Sequence, residues 1–143
     1  MAIQLTPDQI PMFWEAIKYA SINADQVEKD YRERYLNRLL YQLLSGKAQC
    51  FIRLGKDRRL EAIAITKITI DEIRDEKSLF IGCLYSFKKV STSYWKDDFE
   101  SLKKLAKKND CKFISCWIVN EKVSELAKII GMEERFKSYI LEV

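Results

Sequence analysis

The sequence predicts an α/β (α+β) domain on a mixed, mainly antiparallel sheet, in the order α-α-β-β-β-α-β-α-β with one β-α-β crossover. Three observations carry this reading. The first 45 residues place apolar side chains at helical spacing. From Gln49 the period changes to short apolar runs rich in β-branched residues and separated by glycine or charged turns. After Phe87, helical and strand-like segments alternate. With 143 residues, 48% hydrophobic and 32% charged, the chain is long enough for one core and short for two. One unit is therefore expected over 1–143, two N-terminal helices filling 1–45 and the sheet with its crossover helices filling 46–143.

Thr6-Pro7-Asp8-Gln9 is a helix start, with a capping threonine, proline at the first helical position and a glutamine three residues past the cap. Ile10, Phe13, Trp14 and Ile17 follow on one face, giving a helix over Pro7–Ser21. Ser21–Gln26 reads as a break. A second helix over Val27–Leu44 carries Tyr31, Tyr35, Leu39, Leu40 and Leu43 on one side and ends at Ser45-Gly46. Gln49–Leu54 and Leu60–Ile70 form a hairpin around Gly55, and Ser78–Phe87 is a third, more apolar strand. A helix over Tyr94–Lys108 turns Trp95, Phe99, Leu102, Leu105 and Ala106 inward. It leads to the apolar strand Lys112–Val119, expected to lie parallel to Ser78–Phe87. Asn120–Ile130 is the last helix, closed by Gly131, and Glu134–Val143 is read as a final strand.

Composition excludes several chemistries. There is no histidine, which removes Ser-His and Cys-His nucleophilic mechanisms. Cys50, Cys83, Cys111 and Cys116 form no Cys-x-x-Cys pair, so no zinc site is expected; Cys50, Cys83 and Cys116 sit in apolar runs and read as small buried hydrophobes. The net charge of +4 comes from 25 basic and 21 acidic residues that interrupt one another, which argues against a nucleic-acid-binding stripe. No apolar stretch reaches about 18 residues and the N-terminus lacks a basic segment before an apolar one, so a cytoplasmic location and no membrane partner are expected.

At the C-terminal end, Asn120 follows a strand, with Val123 and Leu126 three and six later and Gly131-Met132 eleven and twelve later; Phe136 and Tyr139 lie in the segment beyond. This spacing, with the element order short of its usual first strand, resembles the GNAT (GCN5-related N-acetyltransferase) superfamily. The resemblance covers 46–143 well and the N-terminal helices loosely. It implies a cleft where two neighbouring strands diverge and bind acetyl-CoA, with a glycine-rich loop cradling the pyrophosphate at a helix N-terminus.

Transferred by position, the resemblance places cofactor contacts at Leu84, Tyr85, Ser86, Lys88, Lys89, Ser91, Thr92, Ser93 and Asn120. The segment Lys88–Tyr94 contains no glycine, although a tight phosphate nest needs one. The lysines can still offer charge and the Ser/Thr hydroxyls hydrogen bonds; the competing reading is that Ser91, Thr92 and Ser93 only cap the helix and the lysines are solvated. The tyrosine that in the family often protonates the leaving thiolate falls at Ala127, so this chain diverges there. Tyr85 and Tyr139 are the remaining phenols near the implied cleft and stand as the catalytic candidates, against the reading that they pack. Glu61, Asp71 and Glu72 are candidate bases on the second strand and its exit, but each reads better as a surface charge. Cys83 reads as core, and Phe13, Trp14, Tyr31, Tyr35 and Tyr41 line either an acceptor groove or the core.

Three functions follow. The first is direct acyl transfer from acetyl-CoA to a small-molecule or protein amine. The second is a non-catalytic protein of the same shape that binds a partner, as expected of degenerate phage- or prophage-encoded accessory or virion proteins. The third, a nucleic-acid-associated factor, rests only on the mild positive charge. A terminal strand at a sheet edge also makes a homodimer an expectation.

Overall fold

The computed structural model describes residues 2–118 and 120–143. Its helices follow the apolar periodicity, with boundaries set by local chemistry. Pro7–Gln9 is a 3-10 turn, and the α-helix proper, α1, spans Ile10–Asp25. Pro11 explains the change of geometry: it has no N–H to return to the carbonyl four residues back. Gln26 closes α1 in the left-handed region at φ 51°. A second 3-10 turn, Lys29–Tyr31, leads into α2, Arg32–Leu44.

Among the described residues the five strands are β1 (Ile3–Gln4), β2 (Ala48–Leu54), β3 (Leu60–Asp71), β4 (Glu76–Ser86) and β5 (Phe113–Cys116), side by side in sequence order. β1 to β4 are antiparallel. Helix α3 (Thr92–Lys108) crosses from β4 to β5, which pairs parallel to β4 from Ser78↔Phe113 to Ile81↔Cys116. Helix α4 (Glu121–Ile129) follows. The α/β class, the meander and the crossover are as the sequence predicts. The expected end of the fifth strand at Val119 lies outside the described residues.

Two element-level expectations are corrected. A short first strand exists: Ile3 and Gln4 pair with Ile52 and Phe51, and two residues are too few for any periodicity to announce. The final strand over Glu134–Val143 does not form; that segment is irregular and exposed, with Phe136, Tyr139, Ile140 and Leu141 each at least 77% accessible. Strand propensity records packing against neighbours, and this segment has no ladder partner.

Core residues divide between the two faces of the sheet. One layer joins Ile10, Ile17, Ala20 and Leu43 of α1 and α2 to Cys50, Ile52, Ile63, Ile65 and Cys83. The other joins Phe99, Leu102 and Ala106 of α3 to Phe51, Leu79 and Ile81. Each large apolar side chain so buried contributes roughly 1.5–3 kcal/mol.

β4 serves both layers because it contains a bulge. Ile65 pairs with Cys83 and Thr66 with Ile81, so Gly82 is an extra residue opposite the β3 ladder. Leu79 and Ile81 therefore face α3, whereas Cys83 and Tyr85 face α1 and α2. A second bulge lies on β3, where Arg53 pairs with Ala62 and Leu54 with Leu60, leaving Glu61 as the extra residue.

The Gly131-Met132 signature has a structural cause. The Met132 N–H bonds to the Ala127 carbonyl at 2.9 Å and the Gly131 N–H to that of Lys128 at 3.1 Å, with Gly131 at φ 93°. These are the two bonds of a Schellman cap, and Met132 packs into the α3-side core.

Candidate functional site

Past Ile81↔Cys116 the two parallel strands part company. β4 continues through Gly82, Cys83, Leu84, Tyr85 and Ser86, and among the described residues no ladder pairs these to β5. The result is a fork in the sheet, open at the C-terminal ends of the strands, with the N-terminus of α3 beyond it. Backbone groups on the β5-facing side of this stretch are available to an extended, amide-bearing ligand.

The loop that follows is electrostatically committed. Lys88 Nζ lies 2.6 Å from Glu61 Oε1, and this contact raises the lysine pKa. Glu61, expected at the surface, is only 8% exposed. The β3 bulge aims it inward, and alternation along the strand cannot foresee that. Its other oxygen, Oε2, is 3.5 Å from Arg53 Nε, and Arg53 Nη1 is 2.6 Å from Asp98 Oδ1 on α3. The Tyr94 ring covers the guanidinium at 4.1 Å. Burial raises the Asp98 pKa, and Arg53 opposes that rise. Gly55 leaves room for this cluster, because a Cβ there would push the Glu61 carboxylate out of its present position.

Two cations thus meet two carboxylates, fastening the start of α3 to the β2–β3 hairpin. The sequence reading missed Arg53 and Asp98. The available signals were an arginine inside an apolar strand and an aspartate three residues after Trp95 and four before Leu102, on the helix's apolar side.

The remaining candidates fall in several places. Lys89, Ser91, Thr92 and Ser93 are exposed at the head of α3. Ser91 occupies the N-cap position, and its hydroxyl meets that of Ser93 at 3.0 Å with no side-chain cap bond. Asn120 caps α4, its Oδ1 accepting the Lys122 N–H at 2.8 Å. Tyr85 sits on the free stretch of β4 in an aromatic group with Tyr19 and Phe87, at ring-centre distances of 5.9 and 5.1 Å. Burial, then Tyr19, raises its pKa. Tyr139 lies in the exposed terminal segment, 90% accessible, and is not brought to Tyr85. Asp71 organises the β3–β4 turn by accepting from the N–H groups of Ile73 and Arg74. Ala127 is buried.

On the opposite face, a cavity of about 160 Å³ opens between α1, α2 and the fork, with Asp25, Tyr35, Gln42, Lys67, Gly82 and Cys83 in its lining. The Tyr35 hydroxyl donates to Asp25 Oδ2. Burial raises the Asp25 carboxyl pKa, and burial together with Asp25 raises that of Tyr35. Burial pushes the Cys83 thiol up to about 12, so it stays protonated and is no nucleophile at neutral pH. Of the N-terminal aromatics, Phe13 and Trp14 pack on the core, Tyr31 and Tyr41 are exposed, and Tyr35 lines the cavity. Asp25 was hidden from sequence because it lies in a segment read as a break.

No protein-family model matches the chain, and no curated protein matches it. Solved structures do. A probable acetyltransferase superposes with a TM-score of 0.77 at 14% identity, over 100% of this chain and 97% of its own. A predicted acetyltransferase from Clostridium acetobutylicum, crystallised with acetyl-CoA, gives 0.75 at 11% identity over 99% and 95%. The ribosomal-protein-alanine N-acetyltransferase of Brucella melitensis biovar Abortus 2308 gives 0.71 at 13% identity over 100% and 99%.

Proposed function

We propose, starting from a chain that has the GNAT acetyltransferase fold, that it binds acetyl-CoA and transfers the acetyl group to an amine. The observation that carries the reading is the fork, where β4 runs five residues beyond its last pair with β5 among the described residues. A likeness in fold alone leaves function to the site. The fork fits the amide arm of the cofactor through the backbone of Gly82–Ser86. The pyrophosphate end fits less well: the first N–H groups of α3 with Ser91, Thr92, Ser93 and Lys89 would hold it without a glycine nest, and Lys88 would have to leave Glu61. Bound acetyl-CoA would supply an acyl thioester whose C–S bond would break as a neutral amine nitrogen bonds to the acyl carbon, the nitrogen shedding one proton and the leaving thiolate taking up one. Tyr85, whose pKa is raised by burial and by Tyr19, is the phenol on the free stretch of β4 and the proposed donor of that proton. The backbone N–H groups there would face the developing oxyanion.

Thermal denaturation with acetyl-CoA tests this directly. A ligand at 100 times its dissociation constant stabilises the native state by about 2.7 kcal/mol. An unchanged melting temperature at millimolar acetyl-CoA would falsify the reading.

A second reading is favoured by one observation. The Glu61–Lys88 pair and the glycine-free loop are what a protein of this shape would show after losing turnover. It predicts a ligand-dependent shift, or a bound partner, with no CoA released from acetyl-CoA in the presence of any amine tried.

A further inference from the structure

We infer that Glu61 is a two-position carboxylate, paired with Lys88 in one position and with Arg53 in the other. Exchange between the two positions gates Lys88 for a pyrophosphate at the head of α3. The inference rests on the acetyl-CoA reading only in taking that pyrophosphate to be the cofactor's.

Observations on opposite sides of the carboxylate carry this. Toward the loop, Glu61 Oε1 holds Lys88 Nζ at 2.6 Å. Toward the core, Oε2 stops 3.5 Å from Arg53 Nε, beyond ordinary hydrogen-bond distance. That Nε is buried and has no hydrogen-bond partner among the described residues. A buried donor without an acceptor carries a standing cost. The carboxylate is thus drawn to one cation at the expense of the other, and a turn toward Arg53 would satisfy the donor that Lys88 now deprives.

The two cations differ in what release costs them. The Lys88 side chain is 61% exposed and that of Arg53 10%, so the lysine returns easily to water and the arginine does not. Glu61 is as buried as Arg53 and is costly to leave alone, and Arg53 is the partner placed to take it over. Gly55 gives the carboxylate room to turn, because a side chain there would fill the space at Oε1. Arg53 itself is held by Asp98, which accepts from Nη1, and by the Tyr94 ring, so Glu61 is the group that moves. A single carboxylate or halide offers Lys88 no more than Glu61 does. A ligand with several charged oxygens close together is needed to win it.

The test follows the Arg53 Nε–H resonance in 15N-labelled protein and measures binding by calorimetry. Lys88→Ala frees Glu61, so it should move that resonance downfield with no ligand added. Inorganic pyrophosphate and acetyl-CoA should each move the wild-type resonance the same way. Glu61→Gln keeps the shape and removes the charge, and should tighten both ligands about fivefold or more. Adding Lys88→Ala should abolish that gain. Both variants lie outside the apolar layers, and dispersed spectra would verify folding. An Arg53 resonance indifferent to Lys88→Ala would overturn the two-position carboxylate. No pyrophosphate binding to any variant, no gain from Glu61→Gln, or a gain that survives Lys88→Ala would each overturn the gate. Pyrophosphate binding that gains from Glu61→Gln without any acetyl-CoA binding would keep the gate and remove the cofactor reading. Equal acetyl-CoA affinity in wild type and Glu61→Gln would remove the gate alone.

Discussion

Arg53 Nη1 and Asp98 Oδ1 lie 2.6 Å apart across the contact between β2 and α3, with about nine-tenths of each side chain buried. Removing Asp98 leaves the buried Arg53 charge with only the longer 3.5 Å contact to Glu61. Asp98→Ala is therefore expected to cost about 3–5 kcal/mol, read as a fall in the urea midpoint. Replacing the pair by Arg53→Met with Asp98→Leu should cost much less. Equal losses for the single and double variants would mean that the ion pair is not what joins these elements.

Asp25 supplies a pH dependence whose sign is fixed. Its carboxyl pKa is raised in the fold from an ordinary value of 3.8, so between those values the native state holds more of a proton than the unfolded chain. The group therefore favours folding below the ordinary value and loses that contribution as pH rises through the folded one. Asp25→Asn should flatten the stability profile across the acid range, measured as urea midpoints at several pH values. An unaltered profile would show that the carboxylate is as well solvated folded as unfolded.

How much of this was legible from sequence depends on parity. Helix faces such as Ile10, Phe13, Trp14 and Ile17, and runs such as Ser78–Phe87, announce themselves because one period governs each. Glu61 does not, because the β3 bulge changes the alternation that places its neighbours, and Lys88 looked solvated because its partner was hidden. The Gly131-Met132 signature was legible because a Schellman cap is local. The cavity was not, because Asp25, Gln42 and Gly82 meet only once three elements have packed.

Gly131→Ala tests the cap. The site has open space for a methyl group, so any loss comes from the backbone at φ 93°. About 1–2 kcal/mol is expected from chemical denaturation. A neutral result would mean that the turn relaxes to another conformation at no cost.

The terminal segment should be dispensable for folding. Cutting after Glu133 removes the Arg135–Glu133 pair at 2.7 Å and the Arg135 contact over Phe113 at 5.2 Å, together with exposed apolar side chains. Surface changes of this kind stay within about 0.5 kcal/mol, or about 1–2 °C in Tm. A drop of about 10 °C would reveal a packed role for residues 134–143.

Gly82→Ala separates scaffold from site. A methyl group there would lie 3.8 Å from Phe80, an ordinary contact. The melting temperature without ligand should hold, whereas the stabilisation given by acetyl-CoA should shrink as the fork narrows. Loss of both would assign Gly82 to the fold alone.

The Gly82 bulge also divides the chain into stretches that differ in their tolerance of length changes. Losing Gly82 itself would remove only the bulge, because Ile81 and Cys83 already lie opposite the adjacent residues Thr66 and Ile65, whereas losing any other residue of β4 would turn the strand on one side of the cut to the wrong layer. Residues added between Asp71 and Glu76, where Ile73 is 98% exposed, would shift nothing beyond the turn. β4 behaves in this sense as a reading frame with one silent position: substitutions along it are local events, but an insertion or deletion away from Gly82 moves side chains from one layer to the other.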